Sequence, residues 1–284
     1  MGMTISGRVI ADEVLDGVAA EVEQLKAKGI HPSLAVILVG DDNASQVYVN
    51  NKRKACERVG IVSHIYTRGA DTTQEDLMAL VEELNAREDI HGILCQSPIP
   101  RHLDEKAVIN AISQDKDVDA FHPLNVGHIM IGDCRFLPCT PAGVMEMLHH
   151  EQVKIEGAHC VVIGRSNIVG KPMAMLMLKE SATVTVCHSK TPDLRAITSQ
   201  ADILISAVGK AKFVGADMVK PGAVVIDVGM NRDENNKLCG DVDFDAVAPI
   251  VDKITPVPGG VGLMTVAMLM RNTVTAAKLL NGMA

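Results

Sequence analysis

Tryptophan is absent from the 284-residue chain, and only two tyrosines and four phenylalanines are present. A platform that stacks successive bases needs aromatic faces, so this scarcity argues against single-stranded nucleic acid. Cationic excess is missing as well: 27 Lys and Arg stand against 35 Asp and Glu, a formal net charge of −8. Such a balance does not displace counterions from a phosphate backbone, and nucleic acid is not an expected partner. No apolar run is long enough to cross a bilayer, and the N-terminus lacks the basic-then-apolar layout of a secretion signal. The seven cysteines include no C-x-x-C pair. An odd number of thiols set in apolar runs reads as buried free cysteines in a reducing cytosol, so a cytoplasmic chain is expected. The ten histidines show no H-E-x-x-H or comparable spacing, which predicts no metal.

What is present is a regular alternation of short apolar runs and amphipathic segments. Residues 7–28 repeat apolar positions at helical spacing (Ile10, Val14, Val18, Val22, Leu25) and stop at Gly29. Strands are predicted at 34–39, 62–67 and 92–95, and helices at 43–59, 74–87 and 103–113. Strand–helix alternation implies right-handed crossovers and a parallel sheet. From Asp115 to Pro141 prolines and glycines interrupt the pattern, which reads as a linker and cleft floor before a connecting helix at 142–150. A second set of strands follows at 159–163, 183–187, 202–207 and 223–228, with helices between the first ones. Asn231–Gly240 reads as a surface loop or hairpin. A Pro-Gly-rich segment, Thr255–Gly262, precedes a last apolar helix at 264–281. Many of the fifteen methionines cluster in helical stretches such as 173–177 and 264–270, where core filling accounts for them. The expected fold class is α/β with two domains, residues 1–140 plus the C-terminal helix 264–284, and residues 141–263, with a ligand cleft between them.

The most informative stretch is 159–172. A β-branched run, Val161-Val162-Ile163, stops at Gly164, and a helix-like segment follows Gly170. A strand, a tight turn and a helix N-terminus present backbone N–H groups and a positive dipole end to a phosphate. The next strand ends about 20 residues on, where a dinucleotide fold reads the adenosine ribose. An NAD-type unit carries Asp or Glu there. This chain has His188-Ser189-Lys190-Thr191, and Arg165 lies in the turn. Cations and hydroxyls in place of the acid suit a 2′-phosphate, so NADP is the expected cofactor. The turn is G-x-S-x-x-x-G, and a plain βα reversal remains its competing reading.

Four further groups can carry chemistry. Tyr48 and Lys52 share a face of the 43–59 helix, and a lysine becomes an acid–base group near neutral pH when burial or a neighbouring cation lowers its pKa. Gln96, ahead of Ser97-Pro98-Ile99-Pro100, ends the third strand, where open α/β sheets bind ligands. Asp119 is a carboxylate able to accept paired hydrogen bonds from an amino-heterocycle. Pro258, Gly259, Gly260 and Val261 allow a backbone to approach a ligand closely, just before a helix. Taken singly, each also fits an ordinary role: a solvated helix face, a strand-ending loop, an acidic turn, a plain turn.

In order, the blocks Tyr48-Val-Asn-Asn-Lys52, Gln96-Ser-Pro-Ile-Pro100, Lys116-Asp-Val-Asp119, Pro138-Cys-Thr-Pro141, Gly164-Arg-Ser-Asn-Ile-Val-Gly170, Lys220-Pro-Gly-Ala-Val-Val-Ile-Asp-Val-Gly229 and Pro256-Val-Pro-Gly-Gly-Val-Gly262 resemble the bifunctional methylenetetrahydrofolate dehydrogenase/methenyltetrahydrofolate cyclohydrolase family over nearly the whole chain. The resemblance implies an N-terminal folate-binding domain, a Rossmann-like NADP-binding domain, and a homodimer. The implied activity is NADP-dependent oxidation of 5,10-methylenetetrahydrofolate, then hydrolysis to 10-formyltetrahydrofolate, in the one-carbon metabolism that supplies purine biosynthesis. It assigns catalysis to Lys52 with Tyr48 and Gln96, and the pterin anchor to Asp119. Tyr48, Lys52, Cys95, Gln96, Ser97, Asp119 and Pro258 to Val261 become the folate contacts. Gly164, Arg165, Ser166, Ile168, Gly170, Ser189 and Met230 become the cofactor contacts, Met230 towards the nicotinamide. The chain departs from the family pattern at Ser97, where Leu is common, at Ala120, where Gly is usual, and at Ala211 and Leu263, which replace prolines. These departures predict altered substrate or inhibitor affinity rather than a different reaction. A short-chain dehydrogenase also uses Y-x-x-x-K, but its nucleotide loop comes first. A non-catalytic NADP-binding module would not need Tyr48, Lys52 and Gln96.

Overall fold

The structure is a computed structural model in which residues 2–283 are described. In chain order it runs β1 (Met3–Thr4), α1 (Gly7–Lys26), β2 (Ser33–Val39), α2 (Asn43–Val59), β3 (Val62–Arg68), α3 (Gln74–Ala86) and β4 (Gly92–Cys95). Then come α4 (Glu105–Ala111), α5 (Pro123–Ile131), α6 (Cys139–His150), β5 (His159–Ile163), α7 (Gly170–Lys179), β6 (Thr183–Cys187) and α8 (Leu194–Thr198). The chain closes with β7 (Ile203–Ser206), β8 (Val224–Asp227), β9 (Asn231–Arg232), β10 (Leu238–Cys239), α9 (Phe244–Val247), β11 (Lys253–Ile254) and α10 (Val261–Leu280).

These elements fall into two compact units, Asp12–Cys139 with Val266–Ala284, and Met1–Ala11 with Thr140–Thr265. The first holds a three-stranded parallel sheet in the order β3-β2-β4. All seven residues of β2 are buried, as a strand paired on both sides and covered on both faces requires. Helix α3 packs Leu77, Leu80, Val81 and Leu84, one helical stripe, on Ala35, Ile37 and Val39. Helix α2 is well bounded: the Asp42 carboxylate accepts from the Ser45 amide, and Gly60 ends it at φ 80.

The second unit holds a six-stranded parallel sheet in the order β1-β11-β8-β7-β5-β6. Buried there are Met173 and Met177 of α7 and Met264 of α10, while Met268 and Met270, further along α10, are buried in the first unit. The thioethers therefore fill core.

Three features differ from the sequence reading. Residues 2–11 belong with the six-stranded unit rather than with the first domain, because β1 pairs with β11, Met3 opposite Lys253 and Thr4 opposite Ile254. The 115–141 stretch contains a helix, α5, whose boundaries are the very residues that looked disruptive: Pro123 enters in the first turn and Gly132 closes it at φ 79. Helix α10 starts at Val261, earlier than expected.

Candidate active site

In the three-stranded unit the chain runs from β2 outward to β3, then back across to β4 on the other side. The carboxyl ends of β2 and β4 are thus a topological switch point, where open α/β sheets bind ligands. Gln96 stands there, its amide donating to the Ile37 carbonyl at 2.9 Å. Its side chain is buried and accepts from Lys52 Nζ at 2.8 Å, while its Nε2 donates to the Ser97 carbonyl at 2.7 Å. The Ser97 carbonyl can only accept, so this contact turns the Gln96 oxygen towards the lysine. Tyr48 lies one turn before Lys52 and is half-exposed, at 39%.

Asp119 is half-buried. The Cys139 thiol approaches its Oδ1 at 3.6 Å and the Val118 carbonyl at 3.5 Å. Burial pushes the Cys95 thiol up to about 12, with Glu105 and Asp119 adding to the rise and Lys52 opposing it. Cys139 is likewise driven well above the ordinary thiol range by burial, then by Asp119, against Lys52. Carboxylate and amine therefore share one electrostatic neighbourhood, and both thiols stay protonated. Lys52, Gln96, Cys95 and Asp119 are brought together. Ser97 points elsewhere, its hydroxyl bonded to Glu105.

Each residue before Asp119 is pinned. Lys116 Nζ donates to the Leu84, Asn85 and Arg87 carbonyls at 3.2, 2.9 and 2.6 Å, closing the C-terminal end of α3. Asp117 Oδ2 accepts from the His122 amide and from Asn125 Nδ2, both at 2.8 Å. Asn272 of α10 donates to the Val118 carbonyl at 2.7 Å and to the Leu137 carbonyl at 2.9 Å. Ala120, fully buried, sits at φ 58, a region where alanine costs about 1 kcal/mol relative to glycine.

The six-stranded unit has its own switch point, between β5 and β7. Gly164 leaves β5 at φ 130, and a Cβ there would lie 2.5 Å from the Ala207 carbonyl oxygen. A Cβ on Gly170 would strike the Gly164 carbonyl, so the turn closes only with glycine at both places. Ser166 Oγ accepts from the Val169 and Gly170 amides at 3.1 and 3.3 Å, shaping the entry to α7. Arg165, Ser166, Asn167 and Ile168 are exposed ahead of α7, whose first turn carries no acid. The Gly164 amide donates to the Cys187 carbonyl at 2.9 Å, which sets Arg165 beside the segment carrying Ser189 and Lys190. Arg165 and Lys190 make no ion pair among the described residues. The cradle, the helix start and the two cations fit a dinucleotide with a 2′-phosphate.

Met230, 47% exposed, follows β8, and a Cβ on Gly262 would lie 3.0 Å from its Cε. The Pro258–Val261 loop is thereby adjacent to the expected nicotinamide contact; Gly259 takes φ 102 and Val261 is buried. Among the described residues no group of three or more His, Cys, Asp or Glu is placed to hold a metal ion. Sequence reasoning missed Cys139, Asn272 and two buried carboxylates behind Met230, Asp227 and Asp241. The only hint for the last two was their setting, Asp227-Val-Gly229 and Gly240-Asp241.

Comparison with known proteins decides the family. Residues 5–119 match the family model "Tetrahydrofolate dehydrogenase/cyclohydrolase, catalytic domain", and residues 138–281 match its "NAD(P)-binding domain". The chain belongs to the tetrahydrofolate dehydrogenase/cyclohydrolase family. This dehydrogenase/cyclohydrolase is 59% identical over 274 residues to the bifunctional protein FolD of Geobacillus thermodenitrificans, covering 96% of each chain. The solved structure of the Campylobacter jejuni bifunctional enzyme FolD, methylenetetrahydrofolate dehydrogenase/cyclohydrolase, superposes with a TM-score of 0.96 at 48% identity, over 98% of this chain and 99% of that one. The Trypanosoma brucei methylenetetrahydrofolate dehydrogenase-cyclohydrolase, solved with NADP cofactor and an inhibitor, gives 0.94 at 40% identity over 98% of both chains. The two activities that the family is named for, dehydrogenase and cyclohydrolase, are those of this chain, and its second domain is of the NAD(P)-binding kind.

Proposed function

We infer that the chain oxidises 5,10-methylenetetrahydrofolate with NADP+ and hydrolyses the product to 10-formyltetrahydrofolate, with Lys52 moving the protons of the second step. The observation that carries this reading is the Lys52–Gln96 hydrogen bond of 2.8 Å at the end of β4, with Asp119 in the same neighbourhood. Asp119 offers two acceptor oxygens to the amino-heterocycle of a pterin. Tyr48, Cys95 and the Pro258–Val261 loop are the remaining folate contacts in this reading, whereas the Ser97 hydroxyl is turned to Glu105 and leaves only that residue's backbone for the substrate. Gly164, Arg165, Ser166, Ile168, Gly170, Ser189 and Met230 hold the cofactor.

Bound NADP+ supplies the hydride acceptor. The cation left on the substrate is stabilised by its own two flanking nitrogens, so the protein's task in that step is orientation. In the second step water adds to the methenyl carbon and loses a proton. The bond from that carbon to N5 then breaks as the remaining hydroxyl proton leaves to solvent and the C=O forms; N5 gains a proton, and the formyl group stays on N10. A lysine amine held by a neutral carbonyl can take the first proton and return the second. As an ammonium it donates to Gln96; as an amine it keeps that contact and presents its lone pair.

The same reading makes the chain a cytoplasmic homodimer without nucleic-acid partners. Its cysteines are free. Strand β6 is an unpaired sheet edge of five residues with Val186 exposed, the kind of edge a second copy covers. Light scattering of the purified protein reads the dimer directly. For the activity, methenyl-folate absorbance is followed with NADP+, then with NAD+, and its decay is timed after the nucleotide is removed. Appearance followed by decay supports the reading. Tight NADP+ binding without turnover overturns it in favour of a binding module.

A further inference from the structure

Asp241 is wholly buried, yet it is not paired with a cation. Its two oxygens instead collect hydrogen bonds from two segments of the six-stranded unit. Oδ2 accepts from the Val208 amide at 2.7 Å, the Gly209 amide at 3.3 Å and Ser206 Oγ at 3.2 Å. Oδ1 accepts from the Lys210 amide and from Asn231 Nδ2, both at 2.9 Å. Behind it Asp227, also buried, accepts from the Asp241 and Gly229 amides at 2.9 Å and the Val242 amide at 2.8 Å. Gly229 and Gly240 make room, since a Cβ on either would collide with these carboxylates.

The tied segments are the loop after β7, one wall of the switch point beside Gly164, and the residues on both sides of Met230. An apolar side chain would close this core at a lower desolvation cost. What a carboxylate adds is fixed geometry for backbone groups that would otherwise point at random. We propose that Asp241 is a positioning residue for hydride transfer, holding the 208–210 loop and Met230 in register at the nicotinamide end of the cofactor. The proposal rests on the reading of this unit as the NADP seat.

Asp241→Asn keeps the shape and replaces an acceptor by an NH2 that cannot receive the loop amides. Hydrolysis of 5,10-methenyltetrahydrofolate needs no nucleotide, so it reports the integrity of the rest of the protein. The dehydrogenase kcat should fall about 10- to 100-fold with the KM for NADP+ within about threefold, while hydrolysis stays within about twofold. In the nucleotide-free protein, hydrogen exchange at the Val208 and Lys210 amides should quicken at least about tenfold. Unchanged exchange with unchanged kcat overturns the proposal, as does equal loss of both activities in the folded variant. If Asp241→Asn does not fold, Asn231→Ala removes one donor alone. It should show the same split at smaller size, and its absence is equally decisive. Failure of the wild-type protein to reduce NADP+ removes the cofactor reading and this proposal together. Wild-type turnover with an indifferent Asp241→Asn removes only the proposal.

Discussion

Lys52 Nζ meets Gln96 Oε1 at 2.8 Å, joining the middle of α2 to the carboxyl end of β4. The partner is an amide oxygen, not a carboxylate, so the amine is held in place without being neutralised by an ion pair. Because Gln96 Nε2 is tied to the Ser97 carbonyl at 2.7 Å, the acceptor cannot rotate away without losing a second bond. A proton carrier in fixed orientation is what the hydrolytic half-reaction requires.

Replacing Lys52 with Met should therefore separate the two activities. Hydrolysis should fall about 10²- to 10⁴-fold, the usual contribution of a positioned acid–base group. Hydride transfer, which needs alignment but no proton shuttle, should lose less than about tenfold. Methenyl-folate would accumulate in the absorbance assay instead of decaying. Equal loss of both activities with NADP+ binding intact refutes the role.

Arg165 is exposed at the mouth of the Gly164 turn, without an ion pair among the described residues. In the proposed reading it makes a charge-assisted contact to a 2′-phosphate, worth about 1.5–3 kcal/mol. Arg165→Ala should raise the KM for NADP+ about tenfold or more and leave that for NAD+ nearly unchanged. The gap between wild type and variant should narrow as salt rises, because the contact is exposed. A loss that is equal for both nucleotides would instead place Arg165 at the pyrophosphate.

Much of this was legible in the residues. Buried parallel strands such as β2 and β5 are continuous apolar runs, and the rule that ligands gather at carboxyl strand ends singled out Gln96 and Gly164. Strands β1 and β11 escaped because two residues carry no periodicity. Helix α5 is not legible in the sequence because Pro123 and Gly132 look like interruptions and are in fact its first turn and its cap. The neighbours of Asp119 were hidden for another reason. Asn272 reaches Val118 from 154 positions away, and no local pattern encodes such a contact. Asp227 and Asp241 border the polar Asn231–Gly240 stretch, where a carboxylate reads as solvated until the fold buries it.

Two helix ends carry avoidable strain. Gln152, after α6, and Ser181, after α7, take φ 53 and φ 66. The Gln152 and Val153 amides return to the His149 and Leu148 carbonyls, and the Ser181 and Ala182 amides to those of Leu178 and Met177. Both are left-handed helix closures that favour glycine. Both side chains are exposed, so little packing is lost on replacement. Gln152→Gly and Ser181→Gly should each stabilise the fold by about 0.5–1 kcal/mol and add when combined. Denaturant midpoints at constant slope provide the measurement. A fall in either midpoint would mean that the side chain makes a contact outweighing its backbone strain.

Burial raises Asp227 from 3.8 to about 6, the Asp241 charge adding to the rise and three backbone amides opposing it. A carboxyl with a higher pKa folded than unfolded binds its proton more tightly in the native state. Its contribution to stability is then fully present below about pH 4, is lost as pH rises through about 6, and stays flat above that. The rise corresponds to ~3 kcal/mol, an upper figure for a carboxylate so close to another. Asp89 and Asp202 work in the opposite sense, Asp89 held near 2 first by its hydrogen bonds to Arg87 and Asp202 lowered first by its hydrogen bond to Lys220. The test is therefore a difference between proteins rather than one curve. Unfolding free energy should be compared at about pH 4 and about pH 6.5 for wild type and Asp227→Asn. The variant lacks the titrating group, so its stability should change less unfavourably with rising pH. Parallel profiles would show that Asp227 is already ionised throughout this range, with its three amide donors outweighing the cost of burial.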